Sequence, residues 1–392
     1  MNQYYVDLHV HIGRSSGGRE IKKATANNLT FENIAHESYY RKGIDVIGVV
    51  DCISPYVLED IDALVDRGEV VEKKGGGMAY REGQTLILGA EIETHELMGC
   101  SAHSLCFFPT LKQVRDFSGE MSKHIRNIRL LSSISRLTGQ ELFRVVDAFG
   151  GVYIPAHAFT PHKSFYGNCC DSLHDIFDAE SFDKIPSVEL GLSADSMMAS
   201  QLGELDGKSF ISNSDAHSLP KMGREYNIFS MEEATYDEIL KALCNIGGRR
   251  VVCNYGLNPM LGKYHRSYCE TCDRLLEGTP PVVECPVSAK HPVVVGVRDR
   301  LEIIKDRNEP DMNGRAPYNY QIPLEFLPKV GPKTVAKLIE HFGTEMNILH
   351  KATLEELSKV VKEDVARNII LAREGNLGIE AGGGGIYGRI EG

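Results

Sequence analysis

Through the first 255 residues, short apolar runs alternate with stretches in which apolar positions return every three or four residues. Residues 4–10, 46–50, 85–88, 105–108, 151–154, 187–190 and 210–213 are runs of this first kind and read as strands. Residues 31–42, 121–137, 140–149 and 236–246 carry the helical period. Such alternation predicts an α/β fold with a mainly parallel sheet, layered or closed into a barrel. The turn residues Asn254, Gly256, Asn258 and Pro259 mark an exit. A cysteine-bearing segment follows to about Arg300, then a polar stretch at 306–317 and a helical pattern over 324–374. The pattern divides the chain into 1–256, 257–303, 304–378 and a tail, 379–392, expected to be mobile because 382–385 are all glycine.

Titratable residues gather at the strand ends. His9 and His11 are two apart on one strand and so share a face. Asp51 and Glu91 each follow an apolar run, His103 precedes one, His157 follows another, and Asp215 and His217 close the run at 210–213. In a barrel such ends converge on one face, so distant residues can share a metal cluster. Imidazole with carboxylate suits Zn or Mn, whereas Mg prefers oxygen-rich sites. Ions so held can activate water and neutralise charge during phosphodiester hydrolysis.

Of the ten cysteines, Cys269 and Cys272 form a C-x2-C knuckle, with Cys285 following after twelve intervening residues. This predicts a structural zinc site closed by a fourth ligand, either His291 or His265, with His291 the better placed. Residues 327–338 resemble a helix-hairpin-helix. Gly331 would allow close approach and Pro332 suits a first helical position. The backbone there, with Lys329, Lys333, Thr334 and Lys337, would grip a DNA phosphate without reading sequence. A weaker second hairpin is expected to begin at 353–357. The net charge of −11 argues against uniform nucleic-acid binding, but residues 241–300 carry nine basic against five acidic groups. No apolar run approaches the ~20 residues that span a bilayer, and the start lacks a signal-peptide pattern. A cytoplasmic monomer with no membrane partner is expected.

The motifs at 7–11, 89–91, 155–157 and 213–217 resemble those of the PHP (polymerase and histidinol phosphatase) superfamily. The resemblance covers about residues 1–255 and implies a distorted (β/α)7 barrel holding two or three divalent ions (Zn, Mn or Mg). His9, His11, Glu91 and Asp215 would hold one ion, Glu91 would bridge to a second held by His103 and His157, and Asp51 and His217 would serve a third position. Two departures bear on that third position: Cys52 follows Asp51 where many members have histidine, and no aspartate stands in 12–19. With the zinc module and the hairpin added, nearly the whole chain resembles the endonuclease Q family. That implies DNA incision 5′ of deaminated bases (uracil, hypoxanthine, xanthine) or abasic sites, with Asp215, Glu91 and His157 central to catalysis. A weakened pair is cheaper to open, and Phe159, His162, Phe165 and Tyr166 are candidates to wall a lesion pocket; the alternative is that they anchor their loop. Competing readings are a small-molecule phosphoesterase, a generic DNA exonuclease and a non-catalytic DNA-binding scaffold. A sliding-clamp partner has no signal in the chain for or against it.

Overall fold

The computed structural model describes residues 1–81, 83–96, 99–131, 134–375, 379–382 and 384–390. Gly383 and residues 391–392 of the expected tail, and 376–378 just before it, lie outside the described residues.

Strand β1 (Asn2–Val10) pairs in parallel with β2 (Val46–Val49), and β2 in parallel with β3 (Gln84–His95). Strand β4 (Ser101–Phe108) returns antiparallel to β3 and pairs antiparallel with β5 (Val152–Pro155). The β3–β4 link is far shorter than the dozen residues that a parallel crossover needs. The expected parallel order therefore gives way at β4. Strands β6 (Ser187–Glu189) and β7 (Ser209–Ile211) pair in parallel. The Ala158 N–H donates to the Glu189 carbonyl, joining the end of β5 to β6, and Val10 bridges to Ala216 just past β7. Pairing thus runs from β1 through β5, and these bonds bring β6 and the residues past β7 beside them, with their chemistry-bearing ends together.

Patterning set most of these elements. The second half of β1 is buried throughout, as both its faces are covered. Helix Gly139–Ala148 starts on a capping box between Thr138 and Glu141. The segment at 31–42 is a helix, Phe31–Glu37, running into a π-turn, Ser38–Lys42. One expectation fails: beyond Met121, the described residues of 121–137 form no helix. The helix lies upstream, Leu111–Met121, capped by Thr110. Beyond it the backbone donors leave the segment: Leu131 N–H goes to the Ile21 carbonyl, Ser135 N–H to Glu93, and Arg136 N–H to His124. Ile125, Ile128 and Leu131 mimic a helical spacing while packing singly against the core.

The later segments share that core. Leu257, Leu301, Leu324 and Leu338 belong to the same buried cluster as Val10 and Ile47. Tyr318–Tyr320 adds in parallel to the sheet at Arg250–Gly256, and a largely buried Lys42–Glu345 ion pair (2.9 Å) ties the helical region to the first. Among the described residues, no helix is long and apolar enough to cross a membrane.

Glu225 is buried beside this junction, accepting from the Leu257 N–H (2.8 Å) while its other oxygen has no partner. Burial pushes its carboxyl up to about 8. The folded chain therefore holds a proton that the unfolded chain releases near 4.5. The stability from this group is complete below that value and drains away as pH rises to about 8, by roughly 5 kcal/mol in all. Glu225→Gln is expected to flatten this fall in denaturant unfolding between pH 5 and pH 9; parallel profiles for the two proteins would refute the assignment.

Candidate metal centre

Four histidines and two carboxylates meet where the strands end. The ligand atoms of His9, His11 and Asp215 lie within 4.8 Å of one another, and so do those of Glu91, His103 and His157. Glu91 joins the two groups: its Oε1 is 2.7 Å from His103 Nδ1, 3.3 Å from His157 Nε2 and 3.4 Å from His9 Nε2. Asp215 Oδ1 is 3.6 Å from His9 Nε2 and 3.3 Å from His11 Nε2. Asp215 (φ 44°) and His157 (φ 28°) sit in the left-handed region, which L side chains rarely adopt outside functional sites. Gly191 leaves room for the second of these, since a Cβ there would stand 2.9 Å from His157 Cβ.

Each imidazole is oriented from behind. His9 Nδ1 donates to Glu189 (3.0 Å), His11 Nδ1 to Asp51 (2.9 Å), and His103 Nε2 faces Glu93 (3.3 Å). His157 Nδ1 is 3.2 Å from the Thr160 hydroxyl. Carboxylates in this outer position fix the tautomer and raise ligand basicity. With both Nδ1 atoms so engaged, the Nε2 atoms of His9 and His11 turn lone pairs toward each other across 3.2 Å. That contact is unfavourable when both rings are neutral, and the imidazole and carboxylate donors of each group suit a divalent ion. Burial works to raise the carboxyls of Glu91 and Asp215. The facing imidazoles, joined at Glu91 by the Lys22 ammonium, outweigh it and hold both well below the usual range.

Asp51 and His217 do not join either group. Asp51 is fully buried behind His11, accepting from its ring and from the Ile12 N–H (2.8 Å). His217 turns Nδ1 to the Asp215 carbonyl (3.0 Å), and burial, with His11 adjacent, brings it down to about 4. Glu189 escaped the sequence reading because the expected run 187–190 placed it inside a strand, whereas β6 ends on it. It also accepts from the His157 N–H (2.7 Å) and Asn213 Nδ2 (2.8 Å). Glu189→Gln is expected to cut activity and ion affinity about 10–100-fold, read by titrating ions into stripped protein; unchanged affinity would speak against the orienting role.

The centre opens into a cavity of about 480 Å³ rimmed by Lys22, Lys163, Lys221, Arg224 and Lys263. One wall is a surprise. The tail, expected to be mobile, returns as a hairpin of Ile379–Glu380 with Arg389–Ile390. Backbone N–H groups of Gly382, Gly385 and Gly388 donate to Met260, Lys263 and Leu261. The glycines permit this approach: a Cβ on Gly388 would stand 2.3 Å from the Glu380 carbonyl oxygen. Tyr387 thereby reaches the cavity, accepting from Arg224 Nη1 (2.8 Å). Arg224 in turn donates to the Ser214 carbonyl (2.8 Å) beside Asp215.

Of the lesion-pocket candidates, only His162 lines the cavity, its ring edge-on to Tyr264 at 5.3 Å. Phe159, Phe165 and Tyr166 are core residues and must be removed from that role. Phe159 stacks on Tyr166 at 5.1 Å, the Tyr166 hydroxyl donates to Glu204 (2.6 Å), and Phe165 packs on Phe177. They anchor the loop after His157.

The cysteine segment folds as a three-stranded sheet in which Cys269, Cys272, Cys285 and His291 bring ligand atoms within 4.8 Å of one another. His265 stays outside this group, in a groove with Arg298 and Tyr320. Burial opposes it, but the N–H groups of Val287 and Ser288 bring the Cys285 thiol down to about 6. Asp299 and Arg300 fasten this segment: Asp299 accepts from Ser267 and Val282 N–H groups, and Arg300 donates to the Tyr166 and Cys170 carbonyls.

In the helical region Gly331 caps helix Pro332–Phe342, but only a single 3-10 turn, Leu324–Phe326, precedes it where a first helix was expected. Lys329 is paired with Asp364 (2.7 Å) and Lys337 with the Val360 carbonyl (2.5 Å), whereas Lys333 is exposed. Thr334 lies one position further along that helix, half-buried. Nothing lies within 4 Å of a Cβ built on Gly331. A second helix pair, Leu354–Val360 and Glu363–Arg373, follows the expected start near Thr353.

Strands with paired His and carboxylate groups at their ends define a metal-dependent hydrolase of the PHP superfamily. In keeping with this, a family model described as PHP-associated matches residues 197–245. The chain is 43% identical over its whole length to the whole of Bacillus subtilis "Uncharacterized protein YqxK". It is 35% identical over 254 residues to "Uncharacterized protein MJ0043" of Methanocaldococcus jannaschii, 60% of this chain and 31% of that one. The lesion-specific endonuclease PfuEndoQ from Pyrococcus furiosus superposes with a TM-score of 0.83 at 31% identity, over 100% of this chain and 95% of that one. An endonuclease Q bound to a 27-mer duplex with an abasic lesion at its active site gives 0.84 at 31%, over 100% and 96%. The chain belongs to the endonuclease Q family.

Proposed function

We propose that this protein is a DNA repair endonuclease that hydrolyses the phosphodiester 5′ of deaminated bases (uracil, hypoxanthine, xanthine) and abasic sites. The observation that carries the reading is the pair of ligand groups sharing Glu91 at the floor of a basic-rimmed cavity. It is supported by the full-length likeness to an endonuclease Q that holds an abasic duplex at its active site.

In this reading His9, His11 and Asp215 would hold one divalent ion and Glu91, His103 and His157 a second, with Zn or Mn suiting the donors; bound there, they would supply an activated water and neutralise charge on the phosphate. The protein's own part is to position and to attract. Glu189, Asp51 and Glu93 fix the imidazoles, and the basic rim draws a phosphate backbone into a chain whose net charge is −11. Residues 1–256 form the catalytic unit and 257–303 a zinc module closed by Cys269, Cys272, Cys285 and His291. Residues 304–378 grip the duplex through the exposed Gly331 turn, and 379–390 wall the site.

The test is a set of otherwise identical duplexes carrying uracil, hypoxanthine, xanthine, an abasic site or no lesion, one strand end-labelled, with and without chelator. A single cut 5′ of each lesion, absent from undamaged DNA and abolished by chelator, is expected. A ladder from one end would indicate an exonuclease. Turnover of a free phosphomonoester with no cutting of lesion DNA would indicate a small-molecule phosphoesterase.

A further inference from the structure

We propose that the Lys22 ammonium is the third cation of the catalytic centre, built into the chain beside Asp51, at the third position that the superfamily resemblance implies. The proposal rests on the reading that the two ligand groups hold ions.

Lys22 Nζ lies 2.5 Å from Glu91 Oε2 and within 3.2 Å of both ring nitrogens of His11, with Asp51 and Asp215 also acting on its charge. Its side chain is only 17% exposed, and that exposed part faces the cavity. The backbone holds it there. Ile21 next to it is fully buried, donates its N–H to the Gly13 carbonyl and accepts from Leu131 N–H. Further along the loop, Ala26 N–H donates to the His217 carbonyl. Gly13 makes the fold of the loop possible, since a Cβ there would meet the Ala26 carbonyl oxygen at 2.1 Å.

Independent observations close the third position to a metal. One Asp51 oxygen is committed to His11 and Ile12. Its other oxygen is buried with no hydrogen-bond partner, so it presents negative charge that a nearby cation must balance. Cys52, the residue that departs from the superfamily pattern, is fully buried and donates its thiol to the Val49 carbonyl (3.2 Å), so it is turned away from the centre. A divalent ion placed beside Asp51 would face a fixed ammonium of like sign in a water-poor site, where repulsion is strong. A lysine there supplies the positive charge at any metal concentration, and its ammonium borders the cavity that a phosphate would enter.

The experiment counts ions per chain by mass spectrometry after equilibration with Mn2+ and gel filtration, alongside incision of an abasic duplex. The wild type should hold two ions in the catalytic groups and one in the cysteine module. Lys22→Asp, which swaps the ammonium for a ligand, should gain one. Lys22→Arg should keep the wild-type count. Lys22→Met should lower incision about 10²-fold with its thermal unfolding unchanged. Three catalytic ions in the wild type, or wild-type incision by Lys22→Met, would overturn the proposal and leave the parent reading standing. A wild type with no ions in the catalytic groups would instead remove the parent reading.

Discussion

Asp215→Asn is expected to abolish incision, by roughly 10³-fold or more, while duplex binding stays within a few-fold of wild type. The substitution keeps shape and removes charge. Asn tolerates the left-handed backbone at this position better than most residues, so the loop should survive. What is lost is the anionic oxygen facing His9 and His11. Without it two buried imidazoles have only Glu91 to share, and the first ion position loses its own carboxylate. The basic rim and the Gly331 turn are untouched, so binding of a labelled abasic duplex should persist. An Asp215→Asn protein that cuts within tenfold of wild type would place the chemistry elsewhere.

The second large effect is expected at Cys285. Cys285→Ser should release one ion and melt the segment between about 266 and 296. The cysteine module has little else to hold it: its buried apolar cluster is Leu276 with Cys269 and Cys285 themselves. Such small units draw their folding energy from the ion, about 10–16 kcal/mol for zinc in finger peptides. The lowered Cys285 thiol is already disposed to bind as thiolate. Because Arg300 clamps the adjoining helix to the loop after His157, incision should weaken as well. Hydrogen exchange across the segment with ion counting provides the check; wild-type protection and an unchanged count would show that the cysteines are structural thiols and no more.

Much of this centre could be read from the chain because strand ends are local features: an apolar run followed by His, Glu or Asp marks a position even when its partners are 200 residues away. Asp51 and His217 satisfied the same pattern, yet their side chains turn to His11 and to a carbonyl, a matter of rotamer and neighbours that spacing does not encode. Lys22 and Tyr387 were invisible for another reason. Each arrives on a loop whose path is set by long-range backbone hydrogen bonds, Leu131 to Ile21 and Gly388 to Leu261. The glycine tail misled because glycine signals freedom when alone and close packing when a surface waits for it. Likewise Phe159, Phe165 and Tyr166 offer the same aromatic rings to a base or to a core, and only burial separates the two. In 121–137 the helical spacing of isoleucine and leucine was real, but the preceding Thr110 cap had already spent that period on 111–121.

If the paired ligand groups hold the ions that drive phosphodiester hydrolysis, occupancy and cutting must rise together. Titrating metal-stripped protein with Mn2+ while following both ion occupancy and incision of an end-labelled abasic duplex decides this. Cutting should appear only as the catalytic positions fill, and His9→Ala and His157→Ala should each shift or remove that transition. Incision at full rate with those positions empty would contradict that dependence.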